Sequence, residues 1–257
     1  MNETRTENAG SIWNSLYSIG GTAALICAVM YLLTLGIYIP AYRAGPPPGT
    51  ALEWLTLLQV NPLTGLFFLG LADIVIMILW GPMSLALYAA LKKSSRTWSM
   101  IAAAFVFVGM AVYLATNTAF SMLSLSHQHA AATTEAEKSI VLAAGQAILA
   151  VGGGTGGQYT GMPLAWLGGL LMSAVMLRSK VFSKATAWVG MLGLALLLAS
   201  IPFAGYTTTG PATPVESAII AVTYIGGGLF SLAWYILVGL KLLKLGRLEE
   251  KRLPQQS

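Results

Sequence analysis

Long apolar runs separated by short polar turns dominate the chain. Six of them, at about residues 17–39, 63–91, 97–125, 139–177, 185–205 and 216–240, are long enough for helices, because a hydrocarbon core of roughly 30 Å needs about 20 apolar residues at the helical rise. Strict alternation, the mark of a half-buried strand, is absent from them. Boundary chemistry agrees with the runs. Asn61-Pro62 offers an N-cap and a proline at the first helical position of the second helix. Ser94, Ser95 and Arg96 form a polar turn before the third. The expected fold is all-α: a single membrane-embedded domain, 1–257, built as a polytopic six-transmembrane-helix bundle with a tail at 241–257.

Composition strengthens this picture. The chain is 56% hydrophobic and 9% charged, against about 25% charged in an ordinary soluble domain. Its net charge of +5 resides in short clusters between apolar runs, which points to membrane topology and away from nucleic acid. With the N-terminus inside, the inner segments carry Arg5; Lys92, Lys93 and Arg96; Arg178, Lys180 and Lys184; and Lys241, Lys244, Arg247, Lys251 and Arg252. That leaves only Arg43 and Lys138 of the 14 basic residues outside. The positive-inside rule then predicts both termini in the cytoplasm of a cell bounded by a plasma membrane.

Three outer segments follow. Residues 41–61 contain Pro46-Pro47-Pro48 and then Ala51–Val60, whose leucines and Trp54 predict a short external surface helix. Residues 126–138 read as a polar loop carrying both histidines, and 206–215 as a plain loop. The fourth apolar run is anomalous: its 39 residues would extend about 58 Å as one helix. Gly152-Gly153-Gly154-Thr155-Gly156-Gly157 is the expected break, since each glycine weakens a helix by up to about 1 kcal/mol.

Asp73 is the one formally charged residue well inside a predicted helix. Ten residues after Leu63, it is expected roughly 15 Å deep. A carboxylate at such depth marks function by default. Gly70, Met77, Gly81 and Ser84 share its helical face and should turn it toward the bundle. Partners at similar depth are Asn117 and Thr116, Gln158 and Tyr159, and Tyr224; with Asp73 they make a candidate ligand- or proton-binding group. Gly153, Gly157 and Gly161 have small-xxx-small spacing for close helix packing or for a broken-helix binding site. The same run matches Gly-x-Gly-x-x-Gly, but without the strand that a nucleotide fingerprint requires. His127 and His129, with Glu135 and Glu137, are weak metal candidates: the spacing is loose and no cysteine supports it.

No histidine lies within the apolar runs to ligate haem, no lysine lies mid-helix to form a Schiff base, and Asp73 has neither a second carboxylate nor a triad. No catalytic residue, metal or cofactor is therefore expected. The leading functional expectation is a non-enzymatic membrane protein that binds a small apolar or lipid-like ligand within the bundle. The alternative is a small proton-coupled transporter using Asp73, and an intramembrane enzyme comes third. The lipid bilayer is the expected partner; ligand identity and oligomeric state are not legible.

Leu85-Ala86-Leu87-Tyr88-Ala89-Ala90-Leu91-Lys92-Lys93 and the stretch Val181-Phe182-Ser183-Lys184-Ala185-Thr186-Ala187-Trp188-Val189-Gly190-Met191-Leu192-Gly193 resemble a prokaryotic family of six-helix membrane proteins, domain of unknown function 4386. The resemblance covers nearly the whole chain, through mostly apolar motifs. It implies an α-helical bundle in a bacterial or archaeal membrane and no particular activity.

Overall fold

The computed structural model describes the backbone of residues 3–44, 48–154, 159–204, 215, 218–219 and 221–250. Those residues are almost entirely helical: α1 (Glu3–Ala44), α2 (Ala51–Val60), α3 (Pro62–Phe68), α4 (Leu71–Leu91), α5 (Arg96–Thr116), α6 (Ala119–Ala131), α7 (Glu135–Gly154), α8 (Gly161–Arg178), α9 (Lys184–Ala204), a π-helical turn (Ala221–Ile225) and α10 (Gly226–Glu250). Six stretches are long and apolar enough to cross a membrane: Ser15–Ile37, Leu71–Leu91, Arg96–Ala131, Gly161–Arg178, Lys184–Pro202 and Val222–Leu248. They mark a multi-pass membrane protein.

The spanning helices close into a ring in chain order. α1 packs on α4, α4 on α5, α5 on α8, α8 on α9, α9 on α10, and α10 returns to α1. Glycines set the closest approaches. A methyl group added to Gly161 would lie 2.6 Å from the Tyr113 amide nitrogen and 2.8 Å from the Gly109 carbonyl oxygen, so α5 and α8 touch backbone to backbone. Gly21 against Gly239 and Gly193 against Gly227 repeat the arrangement at α1–α10 and α9–α10. Lipid tails give helices no hydrophobic reason to associate, so close packing and interhelical polar contacts must hold such a ring together. Of the expected packing glycines, Gly161 fills that role. Gly153 falls in the last turn of α7, and Gly157 lies outside the described residues.

At the end of the ring opposite the termini, α2, α3, α6 and α7 form a helical cap with a small core of its own. Leu55, Leu58, Met122 and Leu125 are buried there, with Trp54, Leu66, Val141 and Ile148 packed around them. The expected helix Ala51–Val60 is present with those bounds, and its apolar face packs on α6 and α7. Residues 126–138, expected as a loop, instead continue α6 and start α7. Met122 and Leu125 explain this, because they give α6 an apolar face that meets α2. His127 and His129 thus sit on a helix, and no group of three or more metal-ligating side chains forms among the described residues.

The turn between α6 and α7 is closed by a reciprocal cap. Thr134 Oγ1 accepts from the Glu137 amide at 3.2 Å, and Glu137 Oε2 accepts from the Thr133 and Thr134 amides at 2.9 and 3.1 Å. Thr134→Ala is expected to cost about 1 kcal/mol of local stability. Hydrogen bonds from the Thr134 and then the Thr133 amide hold the Glu137 carboxyl below its ordinary value of 4.5. A carboxylate lowered on folding stabilises the fold above its unfolded value, and that contribution disappears as pH falls through the lowered one. Amide exchange at Thr133 and Thr134 should therefore accelerate on acidification below about pH 4.5, beyond the change seen in Glu137→Gln. Parallel exchange profiles for wild type and variant would show that the cap does not work this way.

Other boundaries shift for local reasons. The second predicted helix, 63–91, divides at Leu69-Gly70 into α3 and α4, and the third, 97–125, divides at Asn117-Thr118 into α5 and α6. Glu135–Gly154 forms a 20-residue helix that begins before the fourth apolar run and ends in its glycine stretch. Its predicted glycine break continues into residues 155–158, outside the described residues, as does most of the expected loop 206–215. The last helix runs on through Lys241, Lys244 and Arg247 to Glu250, so the start of the basic tail is helical.

Candidate functional site

The break between α3 and α4 shapes the site. Gly70 has φ +90, a left-handed conformation that suits glycine, and it serves as the N-cap of α4. α4 itself is 21 residues long, about 30 Å, and so spans the hydrocarbon core without α3. Asp73 therefore occupies the first turn of the span and not its middle. It sits at the boundary between ring and cap, where the helix N-terminus favours negative charge. The count from Leu63 assumed one continuous helix, whereas the helix restarts at Gly70.

The break leaves the Leu69 carbonyl without a helical partner, while the Gly70 carbonyl accepts the Ile74 amide at 2.9 Å, and α5 supplies side-chain donors to both. Asn117 Nδ2 donates to the Leu69 carbonyl at 3.2 Å, and the Tyr113 hydroxyl donates to the Gly70 carbonyl at 3.4 Å. Asn117 Nδ2 also donates to the Tyr113 hydroxyl at 3.2 Å, while its Oδ1 accepts the Ala119 amide at 2.9 Å. Asn117 thus ties the α3–α4 break to the α5–α6 break. The Asp73 carboxylate belongs to the same cluster: a methyl group on Gly70 would lie 3.2 Å from Asn117 Nδ2 and 3.6 Å from Asp73 Oδ2. Gly81 and Ser84, about two and three turns further on, are buried as the shared face predicted.

Asp73 is partly buried, and among the described residues no hydrogen bond or ion pair holds its carboxylate. The one ion pair among them is Lys138 with Glu135 in the cap, at 2.9 Å. Tyrosines surround the acid at longer range. Tyr31 of α1, Tyr113 of α5 and Tyr235 of α10 lie within reach of its charge, and Tyr224 interacts with Tyr113. The tip of the Tyr31 ring lies in close contact with Gly228 of α10.

Toward the termini, the ring is filled by aromatics. Trp80 Nε1 donates to the Tyr235 hydroxyl at 2.9 Å. The Trp80 and Tyr235 rings meet edge to face at 6.1 Å, and Trp234 lies 5.7 Å from Tyr235. Trp80 and Trp234 are both fully buried. Two shallow apolar grooves lie on the described surface: one of about 510 Å³ along Val215, Ile219 and Val222, the other of about 360 Å³ beside Thr22 and Pro82. Neither is lined by Asp73 or Asn117.

Of the predicted group, the fold brings Asp73 and Asn117 together, with Tyr224 at the edge. Thr116 directs its hydroxyl to its own helix, at the Val112 carbonyl, 2.7 Å away. Tyr159 lies in the turn before α8, and no described hydrogen bond joins it to the cluster. Gln158 lies outside the described residues. Sequence reasoning missed Tyr113, Tyr31 and the capping role of Gly70. The four-residue spacing of Tyr113 and Asn117 could have signalled the first, since it puts both on one helical face. Nothing in the sequence around Tyr31 points to Asp73.

Comparison with curated proteins and with solved structures returns no match. A family model does match, described as Domain of unknown function (DUF4386), over residues 19–246. That stretch takes in four spans whole, most of the first and the last, the cap and the Asp73 cluster, and the chain belongs to the DUF4386 family.

Proposed function

We propose that this protein binds a lipid-like amphiphile at the junction of ring and cap, with the ligand's head group at Asp73. The cap end faces outward and both termini face the cytoplasm of a prokaryotic cell. One observation carries the reading: a half-buried aspartate with no counter-charge among the described residues stands at the end of its span, the level of lipid head groups. The termini-ward floor of Trp80, Trp234 and Tyr235 favours retention at one face over passage through the ring. A proton-coupled carrier would have to open that floor. The positive-inside distribution of lysine and arginine supports the orientation.

Native mass spectrometry of the full chain extracted in mild detergent tests the proposal. The wild-type protein should keep a discrete lipid-mass adduct, and Asp73→Asn should lose most of it, with occupancy falling about tenfold if a charge-assisted hydrogen bond of about 1.5 kcal/mol is removed. A wild-type protein that neither carries nor takes up any lipid-like adduct would dismiss the reading.

A further inference from the structure

We infer that the head group recognised at Asp73 is a primary ammonium, an inference that rests on the binding proposal above. The first ground is charge. Lys92 and Lys93 follow Leu91, the far end of α4, and Asp73 lies 18 residues before that end, about 27 Å along the helix. Arg178, Lys184 and Arg247 lie in the terminal turns of their helices at that same far end. In the cap, Lys138 is paired with Glu135 and sits beyond the 13 residues of α6, about 20 Å from the junction. All of these separations exceed a Debye length of about 8–10 Å. No side chain of the described protein therefore supplies the positive charge that the Asp73 site lacks.

The second ground is hydrogen-bond type. Asn117 has directed its amide to Leu69 and Tyr113, and Tyr113 its hydroxyl to Gly70. Beside the first-turn amides of α4, the break keeps acceptor capacity: both carboxylate oxygens of Asp73 and the second lone pair of the Leu69 carbonyl. The N-terminus of α4 attracts an anion, and Asp73 supplies one from within the helix, so an anionic head group would meet like charge. An –NH₃⁺ group offers three donors and the missing charge together. A quaternary ammonium would keep the charge and lose every donor, so the acceptors select against it.

The full-length protein in detergent, titrated with octadecylamine, octadecyltrimethylammonium, octadecanol and octadecanoate and followed by native mass spectrometry, separates these chemistries. Taking each probe's wild-type to Asp73→Asn affinity ratio cancels its partition into micelles. Octadecylamine should bind the wild type most tightly and lose about tenfold or more in Asp73→Asn, the loss of one or more charge-assisted hydrogen bonds. Octadecanol should change by less than about threefold, and Asp73→Glu should recover part of the amine affinity. A thermal melt of each variant keeps loss of binding separate from loss of fold. If the alcohol or the fatty acid binds as well as the amine, the ammonium inference fails and the lipid-like ligand survives. Equal binding of the trimethylammonium probe overturns the choice of a primary amine. If the wild type takes up none of the four, both readings fall.

Discussion

Gly161→Ala should destabilise the protein by about 2–3 kcal/mol, although alanine is the better helix former. Exchanging glycine for alanine inside a helix ordinarily gains up to about 1 kcal/mol. At Gly161 the new methyl would stand 2.6 Å from the Tyr113 amide nitrogen and 2.8 Å from the Gly109 carbonyl oxygen. Both are backbone atoms, so relief requires α5 and α8 to move apart as units. Overpacking of this kind costs about 1–3 kcal/mol, and separation would also loosen the neighbouring contact of Gly168 with the Ala102 carbonyl. Gly36 is the control: it lies on α1, where an added methyl meets nothing within 4 Å, and Gly36→Ala should leave stability unchanged or slightly raised. Reversible unfolding in detergent, scanned for both variants, gives the comparison. Equal behaviour of the two would mean that the α5–α8 approach does not depend on glycine. Because Tyr113 lies on α5 and Asn117 caps it, the same variant should also weaken the ligand binding proposed at Asp73.

Trp80→Ala should be the more damaging change, at about 3–5 kcal/mol, the range for deleting a fully buried aromatic side chain. Trp80 is 1% exposed and joins α4 to α10 through its bond to the Tyr235 hydroxyl and its contact with Trp234 at 6.1 Å. Its loss leaves a cavity at the centre of the ring and a buried hydroxyl without its donor. Trp80→Phe should fall between wild type and alanine, since it restores most of the volume and none of the hydrogen bond. Equilibrium unfolding of the three proteins ranks these terms. A phenylalanine variant as unstable as the alanine one would give the indole hydrogen bond the larger share, and an alanine variant within about 1 kcal/mol of wild type would remove Trp80 from the core argument altogether.

The spans were legible because a bilayer imposes a one-dimensional rule, about 20 apolar residues per crossing. The sequence reading placed 185–205 against the observed Lys184–Ala204, and Ala51–Val60 without change. The cap was not legible. α6 and α7 have weak amphipathic faces whose partner, α2, lies more than 60 residues earlier, as in the bond from Gln59 Nε2 to the Ser126 carbonyl. A polar segment with a few leucines reads as loop until another such segment is folded against it.

Asp73 shows the same division. Sequence alone singled out this acid, marked its helical face as inward and named Asn117 as a companion, because charge is rare in apolar runs and helical periodicity is regular. It could not set the depth, which depends on Gly70 adopting φ +90, a conformation held in place by donors from α5. Nor could it find Tyr31, more than 40 residues away on another helix. Sequence by itself determined the composition, the six crossings and the residue out of place in them, since each follows from local chemistry against a uniform solvent. Only the tertiary structure decided the ring order, the cap and the company Asp73 keeps, because these depend on where helices distant in the chain come to touch.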